Sequence, residues 1–312
     1  MRASRVAATR SSPKRCNRCT RSRGSDWRRC LERLVSGAQD HYYGKADVTV
    51  YRLIRDNSCP VDQCPVFGAN VKMLTWGGAF WPTYLRGDNT GLIATDSMKN
   101  FIHRETFSFT GFGLENYCRY IGKKFLDTYP QVEGLQMSAV QLPYTGLEGG
   151  VAFVPAGPDQ AYARIEMTPQ GVTHAVSGIE GFKLLRLRGS AFQGFVRDGH
   201  TTLPDRPSRV LHMWLDLEWS YATLDAAFSD GAITARVRAI VMDVFKSFES
   251  ASIQQIIHKM GTKIFADIAE ISELRFEANN RTWDVIQERA EEWGVYVEPA
   301  APFGVLGLTL TR

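Results

Sequence analysis

Between Arg209 and Trp219 the chain alternates clearly. Leu211, Met213, Leu215, Leu217 and Trp219 fall on one side, and His212, Asp216 and Glu218 fall on the other. Successive side chains of a β-strand point to opposite faces, so this stretch predicts a half-buried strand with one dry face. Ala161–Met167 repeats the pattern, and Pro169-Gln170-Gly171 follows it with turn chemistry. Strands of this kind need apolar partners to cover their dry faces.

Three segments can provide them. Leu114, Cys118, Ile121 and Phe125 recur at spacings of 4, 3 and 4. Ile253, Ile257, Met260 and Ile264 form a second stripe, and Ile233, Val237, Ile240, Val244 and Phe248 a third. Each is the signature of a helix with one apolar face. One-sided helices laid on antiparallel strands make an α+β fold. The course from strand to helix and back to strand occurs twice, and Gly149-Gly150 and Pro155-Ala156-Gly157-Pro158 punctuate the middle. The expected organisation is a tail over 1–38 followed by two modules, 39–155 and 156–312.

The net charge of +4 conceals two different regions. Residues 1–30 hold ten basic side chains and one acid, leaving 27 basic against 32 acidic groups in the remainder. The body is mildly acidic and does not call for a nucleic-acid partner. The Arg- and Ser-rich tail has the composition of a disordered arm, a transit-like leader or upstream sequence wrongly read as coding. No apolar run reaches the roughly 18–20 residues that cross a bilayer, so no membrane association is expected. Of the six cysteines, Cys16, Cys19 and Cys30 lack a histidine at finger spacing, and Cys59 and Cys64 read as a reduced loop pair. Cys118 belongs to a helix stripe and reads as core. The six histidines show no paired metal spacing, and no phosphate-binding glycine loop or nucleophile elbow is present.

Four short runs carry the functional signal. They are Tyr43-Gly44-Lys45 ahead of the first strand, Ala94-Thr95-Asp96-Ser97-Met98-Lys99-Asn100 after Leu92-Ile93, Phe192-Gln193-Gly194-Phe195-Val196-Arg197-Asp198 continuing through Thr201-Thr202-Leu203 to Arg209, and Ser252-Ile253-Gln254 opening a helix. Taken singly, Lys45 is a solvated lysine, Thr95-Asp96 a helix cap and Arg209 a surface residue. Phe192 and Phe195 would be core, and Arg197-Asp198 a plain ion pair. In this order and at these separations, the four runs together resemble the urate oxidase family, bacterial branch, from about Tyr43 to Arg312.

That resemblance implies the tunnelling fold: two tandem antiparallel-sheet-plus-helices modules, with a barrel completed by oligomerisation into a homotetramer. It implies cofactor-independent oxidation of urate by O2 to 5-hydroxyisourate and H2O2, in a cytoplasmic enzyme with active sites at subunit interfaces. Arg209 would clamp the flat urate anion through a charge-assisted pair of bonds. Gln254 and the Ile253 N–H would take the opposite edge, and Phe192 would stack on the ring. Thr95 and Asp96 would come from the neighbouring subunit. Lys45, its pKa lowered by burial, would work through the Thr95 hydroxyl to remove a proton from urate. The dianion then reacts with oxygen directly, without metal or flavin, against the amide of Asn279, with Asn280 as the adjacent alternative.

One position departs from the family pattern. Arg281 stands where the family usually has histidine, and arginine accepts no proton at working pH. A catalytic contribution at this slot would have to come through positive charge. The departure keeps two alternatives in view: oxidation of a different purine- or pteridine-like heterocycle, and a non-catalytic purine-binding paralogue.

Overall fold

The computed structural model describes residues 41–55, 66–111, 113–148, 151–229, 231–289 and 293–312. The basic tail and Cys16, Cys19, Cys30, Cys59 and Cys64 lie outside the described residues.

Strands come first in both halves. Strands β1 (Tyr43–Leu53) and β2 (Val66–Trp76) precede α1 (Trp81–Arg86), α2 (Thr95–Ser108) and α3 (Leu114–Thr128), and β3 (Gly134–Gln141) follows. A small hairpin of β4 (Tyr144–Gly146) and β5 (Phe153–Pro155) leads to β6 (Gln160–Thr168). The course then repeats with β7 (Gly171–Arg186), β8 (Leu211–Tyr221), α4 (Ala226–Ser229), α5 (Ile233–Ser247), α6 (Ile253–Asp267) and β9 (Ile271–Asn280). A second hairpin, β10 (Asp284–Arg289) and β11 (Trp293–Val297), precedes β12 (Gly304–Thr311). Eight strands form one sheet in the order β1-β2-β3-β6-β7-β8-β9-β12, and every neighbouring pair is antiparallel. The sheet is open, with β1 and β12 at its edges. This is the α+β tunnelling fold as one chain presents it.

The alternation that predicts β8 is realised in its packing. Leu211, Met213, Leu215, Leu217 and Trp219 are all buried under α5 and α6. On α6, Ile253, Ile256, Ile257, Met260 and Ile264 face them. Each such side chain contributes on the order of 1.5–3 kcal/mol by leaving water. A first core joins β1, β2, β3 and β6 to α2 and α3, running from Val48 to Ala175 with Ala227 added. A second core begins at Ile179 and ends at Ala278. The changeover therefore lies inside β7. Cys118 is fully buried in the first core, as its stripe predicts.

The sheet's opposite face is polar. Arg164 pairs with Glu218 at 2.7 Å, the Tyr162 hydroxyl donates to Glu218 at 3.0 Å, and Gln136 donates to Glu166 at 2.9 Å.

Several local expectations are corrected. Tyr43-Gly44-Lys45 lies within β1 rather than before it, because those residues continue the ladder opposite Thr75, Leu74 and Met73. The third stripe turns slightly: Ile240 is only partly buried, Val241 and Phe245 take its place, and Phe248 lies past the helix in extended backbone. Thr95 is not the helix cap but the first residue of the fourteen-residue α2, whose N-cap is Ala94 and whose buried residues are Met98, Ile102 and Thr106. Phe195 is not core; it stacks on Phe192 in the β7–β8 loop. Arg197 pairs with Asp205 at 3.2 Å, while Asp198 accepts from His200 and Thr201 to close its own turn. No helix among the described residues is long and apolar enough to cross a membrane.

Candidate active site

The loop from 187 to 210 carries two of the expected ligands, and it is held at three points. The Phe192 and Arg206 backbones exchange hydrogen bonds of 2.8 and 3.0 Å. Ser190 bridges to Ser250, and Ala191 N–H donates to Ser250 O at 2.7 Å. Arg186 Nη1 donates to the carbonyls of Gly189 and Phe248 and to Ser250 Oγ, tying the end of β7 to the entry of α6. Phe195 lies against Phe192 with ring centroids 5.0 Å apart and 14° between planes. The Arg209 guanidinium sits 5.4 Å from the Phe192 ring centroid. Its Nε is buried without a hydrogen-bond partner, and burial pushes the guanidinium pKa down from its usual value. A buried donor left unmet costs about 1–3 kcal/mol, so this edge can receive an acceptor.

The segment paired with this loop opens α6. Ser252 caps the helix by accepting from the Gln255 N–H, and Gln255 Oε1 accepts from the Ala251 N–H at 2.8 Å. The reciprocal cap leaves the Ile253 and Gln254 N–H groups without intrahelical partners. The Ile253 side chain is buried and Gln254 is exposed. Phe192 and Arg209 thus lie close together on a loop tied at Ser250 to the entry of α6, where Ile253 and Gln254 stand.

Lys45, Thr95 and Asp96 form a second group. Ile93 N–H donates to the Tyr43 hydroxyl at 3.0 Å, fastening the lead-in of α2 to β1. Thr95 is exposed at the first residue of α2, and the N-cap Ala94 offers no side-chain bond. Asp96 accepts from Lys99 at 2.5 Å and from Asn100 at 3.0 Å. Lys99 chiefly, with a smaller contribution from the charge of Lys45, holds the Asp96 carboxyl below its ordinary range. The Asp96 side chain is therefore engaged within its own helix, leaving its backbone at the helix start as the free group. Half-buried Lys45 lies beside a β-bulge at which Asp47 has a φ of 58°.

The third group lies at the end of β9. Asn279 stands opposite Trp214, and Arg281 Nε donates to Asn279 Oδ1 at 2.6 Å. Asn280 points to the other side of the sheet, and its Oδ1 accepts from Thr282 N and Oγ1. The Arg281 Cζ lies 4.2 Å from the Trp214 ring centroid and 3.3 Å from that of Phe303. Trp214 and Phe303 were not expected from sequence. An aromatic side chain on the polar face of an alternating strand was the available signal for Trp214, and Phe303 offered none.

The first group and the second stay apart in one chain. Five steps of the sheet separate β1 from β8, roughly 24 Å along its surface at the usual strand spacing. Among the described residues, no group of three or more His, Cys, Asp or Glu side chains is arranged to hold a metal.

The uricase family model matches residues 175–306. A uricase from Haloferax volcanii is 32% identical over 300 residues, covering 86% of this chain and 97% of its own. The chain belongs to the uricase family. The uric acid degradation bifunctional protein of Bacillus sp. strain TB-90 is 31% identical, covering 87% of this chain and 60% of that longer protein. Among solved structures, a hyperthermostable mutant of Bacillus sp. TB-90 urate oxidase superposes with a TM-score of 0.80 at 30% identity, covering 88% of this chain and 100% of that one. A uricase from Bacillus fastidious gives 0.79 at 30% identity, covering 88% and 94%. The span matched by the uricase model contains Phe192, Arg209, Ile253, Gln254, Asn279 and Arg281. Lys45, Thr95 and Asp96 lie outside it.

Proposed function

We propose that this chain oxidises urate with O2 and water to 5-hydroxyisourate and H2O2, without a bound cofactor, in pockets shared between subunits of a homotetramer. Urate brings a flat anionic edge, and Arg209 offers it a half-buried guanidinium whose Nε has no partner. Phe192 provides a ring face beside that guanidinium, and the Gln254 amide with the free N–H of Ile253 takes the far edge. Both the charge and the planarity of the substrate are met by rigid groups, which lowers the entropic cost of holding it.

Removing a proton from bound urate is the task assigned to Lys45 acting through the Thr95 hydroxyl. The electron-rich dianion supplies both electrons to dioxygen. Oxygen is reduced to peroxide, and the ring carbon between the carbonyl and imidazole portions takes hydroxide from water. Asn279 offers its amide to the oxygen species above the ring.

The separation of β1 from β8 carries the shared-pocket reading, because Lys45 and Thr95 cannot reach Arg209 of the same chain across the four strands between them. Edges β1 and β12 are free to continue the sheet into a second copy, which would remove exposed edges as barrels do. Mixing two inactive variants tests this. Co-assembled Lys45→Ala and Arg209→Ala chains in equal amounts should recover roughly a quarter of wild-type urate turnover, since one pocket in four then draws both intact groups from different chains. No recovery in verified mixed oligomers would eliminate the shared pocket. Peroxide release with urate in metal-free buffer tests the activity itself; turnover of a related heterocycle but not urate would redirect the substrate assignment.

A further inference from the structure

Arg281 cannot exchange protons at working pH, yet it is held more firmly than a tolerated surface substitution would be. Its backbone N–H donates to His212 O at 3.0 Å, continuing the β8–β9 ladder past the last paired residues. Its guanidinium lies between two rings, with Cζ 3.3 Å from the Phe303 centroid and 4.2 Å from the Trp214 centroid. Such stacking holds the plane of the side chain and leaves its edges free for hydrogen bonds. One edge is used: Nε donates to Asn279 Oδ1 at 2.6 Å.

This contact settles which way the Asn279 amide faces. A guanidinium has donors and no acceptor, so only the oxygen of a carboxamide can meet it. The Asn279 NH2 must then point away from Arg281. Asn280 does not compete, because its own oxygen is committed to Thr282. The neighbouring titratable group, His212, does not compete either: Trp283 Nε1 donates to its Nδ1 at 3.0 Å, and burial pushes its pKa down. A second cation on this face, Lys183, stands over the Trp214 ring with Nζ 4.5 Å from the centroid. Asp216, Arg275 and Glu277 continue the same face of β8 and β9 away from the cluster.

We propose that Arg281 is a positioning residue that clamps the Asn279 carboxamide by its oxygen and so presents the NH2 as a donor to the oxygen species of the reaction. The proposal rests on the urate-oxidase reading above. The slot works by orientation and not by proton relay, so its substitution alters turnover without altering the acid–base profile.

The test compares wild type with Arg281→Gln, Arg281→Lys, Asn279→Ala and the double variant Arg281→Gln/Asn279→Ala. Each is first checked for the wild-type oligomer and melting midpoint, and Arg281→Lys keeps the charge should Arg281→Gln fold poorly. Loss of the clamp is expected to lower kcat about 10- to 100-fold, the scale of one misplaced donor, with the affinity for a non-oxidisable xanthine analogue within about threefold of wild type. The pH dependence of kcat should keep its shape, and the arginine change should add little in the Asn279→Ala background. Full kcat in Arg281→Gln and Arg281→Lys, additive losses, or a lost pH inflection would each overturn the clamp while leaving urate oxidation intact. A wild-type chain that does not turn over urate would sink the functional reading instead. The clamp is then decided by crystal structures, in which an Asn279 amide unmoved in Arg281→Gln refutes it.

Discussion

Replacing Arg209 by lysine probes the proposed substrate grip while conserving charge. The guanidinium lies over Phe192 at 5.4 Å from the ring centroid, with a buried, unpartnered Nε. An acceptor edge of urate can take two parallel bonds from this group, and an ammonium can return only one of them with comparable aim. A hydrogen bond to a charged group contributes about 1.5–3 kcal/mol, and every 1.4 kcal/mol is a factor of about ten. The loss of one bond therefore predicts a fall of roughly 10- to 100-fold in kcat/KM. Weakening the cation–π contact with Phe192 adds about 0.5–1 kcal/mol to the same deficit. The fall should appear mainly in KM, because a grip of the proposed kind would act on bound urate before and during the reaction. Initial rates of urate absorbance loss, paired with peroxide release, measure it at air saturation. Urate kinetics within about threefold of wild type, in a variant of unchanged assembly, would show that Arg209 does not hold the substrate.

Further outcomes follow from the other groups. Lys45→Ala and Thr95→Ala should each lower turnover by about 100-fold or more with assembly intact, and the double variant should be little worse than either; wild-type rates in both would refute their pairing. Glu115 is partly buried, accepts from Ser177 Oγ at 2.5 Å and from the Tyr221 hydroxyl at 3.2 Å, and loss of solvation raises its pKa above the unfolded value. Its protonated form is thus favoured by folding, so stability declines as pH rises from the unfolded value through the raised folded one. Glu115→Gln should flatten that decline, and melting curves whose pH slope matches wild type would count against it. A Cβ at Gly44 would stand 1.9 Å from the Met73 carbonyl oxygen, so Gly44→Ala should force β1 off β2 beside Lys45. The expected cost is about 1–3 kcal/mol, together with lost activity; an unchanged melting midpoint would contradict the close approach.

Much of this molecule was legible from residue order. The period of two along Arg209–Trp219 gave β8 and its buried face, and three stripes of period near 3.6 gave α3, α5 and α6. α2 escaped because its buried face is thin, with Met98, Ile102 and Thr106 as its only fully buried residues. The site residues were named through their order along the chain, and the structure gathers them into groups: Phe192 with Arg209 and the α6 start, Lys45 with Asp96, and Asn279 with Arg281.

What residue order by itself determined was the kind of element each segment makes and which face it must bury. Folding decided which of these meet. Trp214 and Phe303 enclose Arg281 because strand register sets Trp214 opposite Asn279 and brings the entry of β12 alongside. Periodicity is a local property that each segment carries alone, whereas register depends on hydrogen-bond ladders between segments far apart in the chain. A pairing such as Arg281 with Phe303 therefore exists only after the sheet has formed.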